Sequence, residues 1–288
     1  FFFLTMASSS STRRGLLRRP TNPLVSPLLT DFYQLTMAYA YWQQERHRKR
    51  AVFEVLFRKN PFGGEFTVFA GVEEVVRFVE TFEFTASDVA YVKELLPRAE
   101  EGFFEWLRAL DCRDVKIYGI KEGTVVFPVE PLLRIEGPLG VTQLLETTVL
   151  NLVNYASLVC TNAVRYRLAA PADTKLFEFG ARRAQGPDGA ISAARYTYIG
   201  GFDGTSNVLA GKLHDLPVSG THSHAFVQSY SGLADLPSKT TVPLPQSGGG
   251  AGGEKTQQPG APPSDTHSDD DAAVNAAAVN AAAVNAAA

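Results

Sequence analysis

A long apolar stretch in the middle of the chain sets the main limit on the fold. The pattern over residues 142–168 predicts one long helix. Polar residues such as Glu146 and Arg165 interrupt it, so we expect it to cross a protein core and not a membrane. After this helix the apolar runs become short, and strands alternate with helices, which predicts a parallel sheet. The expected fold class is therefore α/β.

Composition divides the chain into four segments. Residues 1–21 form a leader that we predict to be disordered, and residues 22–140 read as an N-terminal α+β domain. Residues 141–234 read as part of an α/β barrel, because polar, Gly-containing turns recur after short apolar strands. Residues 235–288 form a low-complexity tail with almost no large apolar side chains to bury.

The two ends allow alternative interpretations. The leader is rich in Ser and Arg and has no acidic residue before Asp31, which is typical of an organelle transit peptide. A disordered leader or an upstream translation artefact is the alternative. The tail ends in a repeat of Ala-Ala-Ala-Val-Asn, whose period fits neither a helix nor a strand. We expect the tail to be disordered or to be an artefact of gene prediction.

Charge and cysteine content exclude several classes. The formal net charge is -3 at pH 7, and no local basic patch stands out, so neither nucleic acid nor a membrane surface is an expected partner. Cys112 and Cys160 are interpreted as buried thiols in a reducing compartment. The expected location is cytoplasmic, and the acid-poor leader leaves a plastid or another organelle open.

Local patterns predict the first elements of the N-terminal domain. Asp31 and Gln34 have the spacing of a capping box, and the apolar residues that follow predict an amphipathic helix through Trp42. The alternating residues 51–58 and the run 67–70 are separated by a turn that contains Pro and Gly. We expect these two runs to pair as a β-hairpin.

The segment 220–227 combines a glycine, two hydroxyls and two imidazoles, those of His222 and His224. In a strand these imidazoles would share a face, so a metal site with His214 as a distant third ligand is one interpretation. The other is that one neutral imidazole acts as a nucleophile or proton acceptor near neutral pH. The residues alone leave both interpretations open.

Two further segments favour binding of an anion. Arg182 and Arg183 precede a Gly-containing turn, and guanidinium groups bind phosphate or carboxylate through paired hydrogen bonds. A surface ion pair with Asp188 is the simpler alternative. Thr205 and Ser206 are N-cap candidates for a helix whose free amides favour an anion, although such helix starts are common.

These segments resemble the nicotinate phosphoribosyltransferase family, which is a type II phosphoribosyltransferase family. The resemblance extends from about residue 22 to about residue 232. Its matching blocks are residues 27–34, 57–64, 143–147, 182–189, 200–203, 206–211 and 220–227. The blocks are separated along the chain and follow one another in the order of the family.

The resemblance implies an α/β-barrel enzyme with an extra N-terminal domain. It would make nicotinate mononucleotide from nicotinate and 5-phosphoribosyl 1-diphosphate, with coupled ATP hydrolysis, Mg²⁺ and a homodimer. The family's phosphorylated histidine falls on His224 and not on His222. The contacts to nicotinate, its carboxylate and phosphate carry over to Tyr33, Thr221, Arg182 and Arg183.

The resemblance ends where the tail begins. The family continues there with further barrel strands and substrate-binding residues, so the resemblance implies an incomplete irregular (β/α) barrel in this chain, with the Mg²⁺ and diphosphate ligands outside it. An open sheet edge would be exposed, and we expect poor folding and weak or absent activity. The alternatives are a truncated product without activity that interacts with full-length subunits, and a histidine-based metal-binding protein.

Overall fold

The computed structural model describes residues 2–4, 19–232 and 235. The helices of this part are α1 (Phe32–Gln43), α2 (Val72–Glu80), α3 (Ala86–Leu95), α4 (Glu101–Arg108), α5 (Leu139–Ala169), α6 (Gly186–Ile199), α7 (Val208–His214) and α8 (His224–Gln228). The strands are β1 (Phe2–Leu4), β2 (Arg50–Val55), β3 (Thr67–Val68), β4 (Lys116–Gly119), β5 (Val125–Val126), β6 (Leu133–Pro138), β7 (Phe177–Glu178) and β8 (Gly204–Thr205). The predicted α/β class is confirmed.

An antiparallel sheet organises the N-terminal half, with strand order β1-β4-β6-β2. The predicted hairpin is wrong, because β2 pairs with β6 and β3 pairs with β5. The β2–β6 pair places Phe53 opposite Ile135 and Val55 opposite Leu133, and apolar cross-strand pairs of this kind stabilise a sheet. The entropic cost of closing a loop rises only slowly with loop length. Pairing β2 with the distant β6 therefore costs little more than pairing it with the nearby β3.

The leader is ordered in part. Phe2–Leu4 pairs antiparallel with β4. Both the backbone N–H and the hydroxyl of Thr21 donate to the Glu74 carboxylate, each at 2.8 Å. The prediction of a disordered leader is therefore wrong for these residues, while residues 1 and 5–18 lie outside the described part. Residues 236–288 of the tail also lie outside it, so its disorder stays a prediction.

The long central helix is confirmed as α5, which has 31 residues. Its first half packs into the larger core cluster through Leu144, Leu145 and Val149, and its second half packs into a smaller one through Ala156 and Cys160. Helix α5 therefore joins the N-terminal sheet to the C-terminal elements. Among the described residues, no helix is both long and apolar enough to cross a membrane.

Both cysteines are free and buried, as expected. Burial raises the pKa of the Cys112 thiol, and Asp111 adds to the shift. Burial also raises the pKa of Cys160 to about 12, with Glu122 adding to the shift. Both side chains are therefore protonated and unreactive near neutral pH.

The start of α1 differs from the prediction. Asp31 is its N-cap residue, but no side-chain capping bond forms, so the predicted capping box is wrong. The Asp31 carboxylate instead accepts a hydrogen bond from Thr147 at 3.1 Å, and the buried Gln34 accepts one from Gln143. Contacts with α5 have replaced the local cap.

Side chains of α5 complete the hydrogen bonding of the short strand β3 and of the residues that follow it. The hydroxyl of Thr161 accepts from the N–H of Val68 at 2.8 Å, and that of Ser157 accepts from the N–H of Ala70 at 3.1 Å. Buried backbone N–H groups require partners, and here two helix hydroxyls take the place of a neighbouring strand. This contact attaches β3 to the middle of the chain.

The Thr161→Val variant should be destabilised by about 1–3 kcal/mol, since it leaves the buried N–H of Val68 without its acceptor at nearly unchanged volume. Urea unfolding would measure the loss. Thr36→Val is the matched control, because the Thr36 hydroxyl makes an exposed bond to the Tyr33 carbonyl. Equal losses in the two variants would contradict the assigned role of Thr161.

His47 is buried at the junction between α1, β2 and α5. Its ring packs edge-on against Trp106, with ring centroids 5.2 Å apart, and its carbonyl accepts from the N–H of Gly140. In the described part of the chain neither ring nitrogen has a hydrogen-bond partner. Burial lowers the pKa of His47, and the nearby Arg48 lowers it further.

This lowered pKa predicts a loss of stability in acid. The unfolded state binds the proton at an ordinary pKa of about 6.5, so the free energy of unfolding should be highest above that pH and fall as the pH drops below it. Burial also lowers the pKa of His214, which contributes with the same sign. His47→Phe should therefore show a smaller loss than the wild type between pH 7.5 and 5.0 in urea unfolding. An unchanged loss would contradict the prediction.

Candidate active site

Three parallel segments meet in the C-terminal half. Strands β7 and β8 pair in parallel, and Thr205 forms a parallel bridge with Val218. The predicted parallel sheet is therefore confirmed for these segments. Because the carboxyl ends of parallel strands lie at one edge, the loops that follow them are neighbours.

The structure places four candidate residues in the loops at this carboxyl edge or directly after them. Arg182 and Arg183 lie in a 3-10 turn that follows β7, and both side chains are exposed. Thr221 and His224 follow Val218, and both are exposed. Of the predicted site residues, these four therefore belong to the same edge of the sheet.

The segment 220–227 is not a strand. Residues 220–223 are irregular, Ser223 is an N-cap residue and α8 begins at His224. The shared strand face assumed for His222 and His224 is therefore absent. Within the described residues no group of three His, Cys, Asp or Glu side chains could hold a metal ion, so the histidine-based metal site is not formed there.

Two buried polar residues at this edge, Glu178 and Thr205, were not predicted from the sequence as part of the site. Glu178 ends β7, and its carboxyl group accepts hydrogen bonds from the N–H of Gly180 and from the hydroxyl of Thr205. Thr205 ends β8 and is fully buried. A possible signal in the sequence was a single charged residue at the carboxyl end of a predicted apolar strand, a position that often carries function in α/β proteins.

Tyr155 extends the polar region from α5. Its hydroxyl donates to the carbonyl of Gly189 at 3.1 Å, near the start of α6. Burial raises the pKa of Tyr155 to about 12, and the carboxylates of Glu178 and Asp188 add to the shift. The phenol therefore stays protonated and links α5 to the first turn of α6, which follows the arginine pair.

Tyr33 lies apart from the other predicted site residues. The residue is 48% exposed, and its hydroxyl donates to Glu146 of α5 at 3.3 Å. Glu146 and Tyr155 are nine residues apart on α5, which corresponds to roughly 13 Å along the helix axis. Among the described contacts of this chain, none joins Tyr33 to the loops at the carboxyl edge.

Two cavities lie elsewhere on the molecule. One, of about 330 Å³, is lined by Phe62, Asn162, Arg165, Tyr166 and Ala169. The other, of about 340 Å³, is lined by Trp42, Gln43, Glu45, His47, Arg48 and Glu100. Neither includes a predicted site residue.

Known proteins match this chain in sequence. Residues 28–154 match the family model of the nicotinate phosphoribosyltransferase (NAPRTase) N-terminal domain. Nicotinate phosphoribosyltransferase 2 of Arabidopsis thaliana is 58% identical over 232 residues, which are 81% of this chain and 42% of that protein. The human nicotinate phosphoribosyltransferase is 51% identical over 78% of this chain and 42% of that protein.

Solved structures match the fold as well. The crystal structure of human nicotinic acid phosphoribosyltransferase superimposes with a TM-score of 0.66 and 52% identity, over 70% of this chain and 41% of that one. The crystal structure of a nicotinate-nucleotide pyrophosphorylase from Pyrococcus furiosus superimposes with a TM-score of 0.56 and 27% identity, over 70% of this chain and 43% of that one. Fold and sequence together define an α/β protein of the phosphoribosyltransferase class.

The chain belongs to the nicotinate phosphoribosyltransferase family, and it corresponds to the N-terminal part of the family's members. It spans about 42% of the length of the curated relatives named above.

Proposed function

We propose that the protein transfers the phosphoribosyl group of 5-phosphoribosyl 1-diphosphate to nicotinate, forming nicotinate mononucleotide and diphosphate in NAD biosynthesis. One observation carries the proposal: in a chain of this family, Arg182, Arg183, Thr221 and His224 follow the carboxyl ends of neighbouring parallel segments. Relatives that bear the name nicotinate phosphoribosyltransferase support the choice of substrates.

The chemistry needs what these residues offer. Departure of diphosphate leaves an oxocarbenium-like carbon on the ribose, so the site must orient the pyridine nitrogen toward that carbon and neutralise the leaving group. The exposed guanidinium groups of Arg182 and Arg183 suit the carboxylate of nicotinate and the phosphate groups. Thr221 adds a hydroxyl contact to nicotinate.

We also propose that ATP phosphorylates His224 and that the protein acts as a homodimer. The phosphoryl group adds roughly two negative charges beside the carboxyl edge, which alters the affinity for diphosphate and favours product. The separation of Tyr33 from the other site residues supports a dimer whose sites are shared between subunits. Mg²⁺ would arrive with the diphosphate and neutralise part of its charge, because the described residues include no cluster of ligands for it.

The test is formation of nicotinate mononucleotide by the purified full chain, measured by chromatography with nicotinate, 5-phosphoribosyl 1-diphosphate and Mg²⁺, with and without ATP. We expect product, at the weak level that an incomplete barrel allows, and more of it with ATP. His224→Ala should abolish the stimulation by ATP, whereas His222→Ala should retain it because His222 lies outside the proposed phosphorylation site. Absence of product, or equal stimulation of both variants, would contradict the proposal.

A further inference from the structure

Glu178 is a buried residue whose carboxyl group makes hydrogen bonds to two different segments. It is 9% exposed and ends β7 at the carboxyl edge. One carboxyl oxygen accepts from the N–H of Gly180, in the loop that leads to the arginine pair, and the other accepts from the hydroxyl of Thr205 at 2.8 Å. The buried carboxyl group of Glu178 therefore contacts the start of the loop after β7 and the end of β8.

Thr205 extends this connection to the third loop. Its hydroxyl accepts from the N–H of Asn207 at 3.0 Å, and its carbonyl accepts from the N–H of Ser219 at 3.0 Å. The carbonyl of Glu178 accepts from the N–H of Ser206 at 3.0 Å. Glu178 and Thr205 thus hold the first residues of three loops, which we define as the edge loops: residues 179–185, 206–207 and 219–223.

A buried carboxyl group is costly unless donors satisfy its oxygens. If either the loop at Gly180 or the strand end at Thr205 moved alone, one oxygen of Glu178 would lose its donor without water to replace it. We propose that Glu178 is a positioning residue, whose buried carboxyl group holds the edge loops in the one arrangement that binds 5-phosphoribosyl 1-diphosphate. This inference rests on the proposed function.

Two substitutions of Glu178 separate the effect of its hydrogen bonds from the effect of its charge. In Glu178→Gln the amide oxygen can accept from Gly180, and the amide N–H can donate to Thr205, whose hydroxyl turns to the carbonyl of residue 178 at 3.1 Å. Glu178→Gln therefore preserves both side-chain contacts, and Glu178→Ala removes them while leaving the backbone bonds to Ser206 and Ser219 in place. A residue with a purely electrostatic effect on the ligand would respond to both substitutions alike.

The experiment combines hydrogen exchange of the ligand-free protein with calorimetric titration of 5-phosphoribosyl 1-diphosphate. In Glu178→Ala we expect faster exchange in all three edge loops, unchanged exchange in β4 and β6, and affinity weaker by about tenfold to a hundredfold. Glu178→Gln should restore both readouts. If Glu178→Ala fails to fold, Thr205→Val, which removes the bond between Thr205 and the Glu178 carboxyl group and the acceptor of the Asn207 N–H, should give the same pattern.

Faster exchange confined to the loop after β7, or wild-type affinity in Glu178→Ala, would overturn the inference. So would equal effects of Ala and Gln. Failure of the wild type to bind the diphosphate would refute the proposed function, and the exchange pattern would still decide whether Glu178 holds the edge loops together.

Discussion

Replacing Arg195 with Met should lower the free energy of unfolding by about 3 kcal/mol, because it removes one of the two cations that pair with the buried carboxylate of Glu74. Arg195 of α6 is 8% exposed and bonds Glu74 of α2, which is 6% exposed, at 2.8 Å. It also pairs with Glu73 at 2.5 Å. Arg77 lies 3.2 Å from Glu74 in the native structure, and we expect this second pair to remain in the variant, which places the expected loss at the lower end of the range for broken buried pairs.

Arg113→Met is the matched control for Arg195→Met. The Arg113 side chain is 81% exposed and pairs with Asp111, and exposed pairs of this kind contribute about 0–1 kcal/mol. Urea unfolding of both variants would measure the difference. If Arg195→Met lost no more stability than Arg113→Met, the ion pairs would not be what joins α6 to the N-terminal domain.

Gly71→Ala should cost about 3 kcal/mol or more. Gly71 has a φ of 99°, a left-handed conformation that disfavours side chains, and an added Cβ would lie well under 3.0 Å from the carbonyl oxygen of Leu152. That oxygen belongs to the backbone of α5, so the clash can be relieved only by moving α2 away from α5. Thermal unfolding would measure the loss.

Gly63→Ala separates the cost of backbone strain from the cost of the clash with α5. Gly63 has a φ of 62°, but an added Cβ would meet nothing within 4 Å. Its expected cost is the backbone strain alone, about 1 kcal/mol. Equal losses in Gly71→Ala and Gly63→Ala would show that the contact between α2 and α5 is not close at this point.

The sequence predicted the elements that local periodicity specifies. The apolar pattern of α5 and the alternation after it gave the long helix and the parallel pairing of β7 and β8. The partner of β2 could not be predicted in the same way, because an apolar strand fits several neighbours and the choice of β6 depends on packing against the whole core. The capping box failed for a related reason, since Asp31 and Gln34 find partners on α5.

The candidate site was predictable only in its exposed residues. These four residues, Arg182, Arg183, Thr221 and His224, stand in recognisable blocks, and the alternation of elements predicted the parallel sheet at whose carboxyl edge the structure places them. The contacts of Glu178 and Arg195 depend on pairs that are 27 and 121 residues apart, and no local pattern records such pairs. Tyr33 was grouped with the others by resemblance alone, and this chain holds it against α5.

The most direct test of the account is a titration of the isotope-labelled protein with 5-phosphoribosyl 1-diphosphate, followed through its assigned backbone amide resonances. The account predicts saturable shifts in residues 180–186, 206–208 and 219–224, with little change in residues 85–101 on the far helices. Saturable shifts confined to other segments, or none at all, would contradict the claim that the loops at this carboxyl edge form the substrate site.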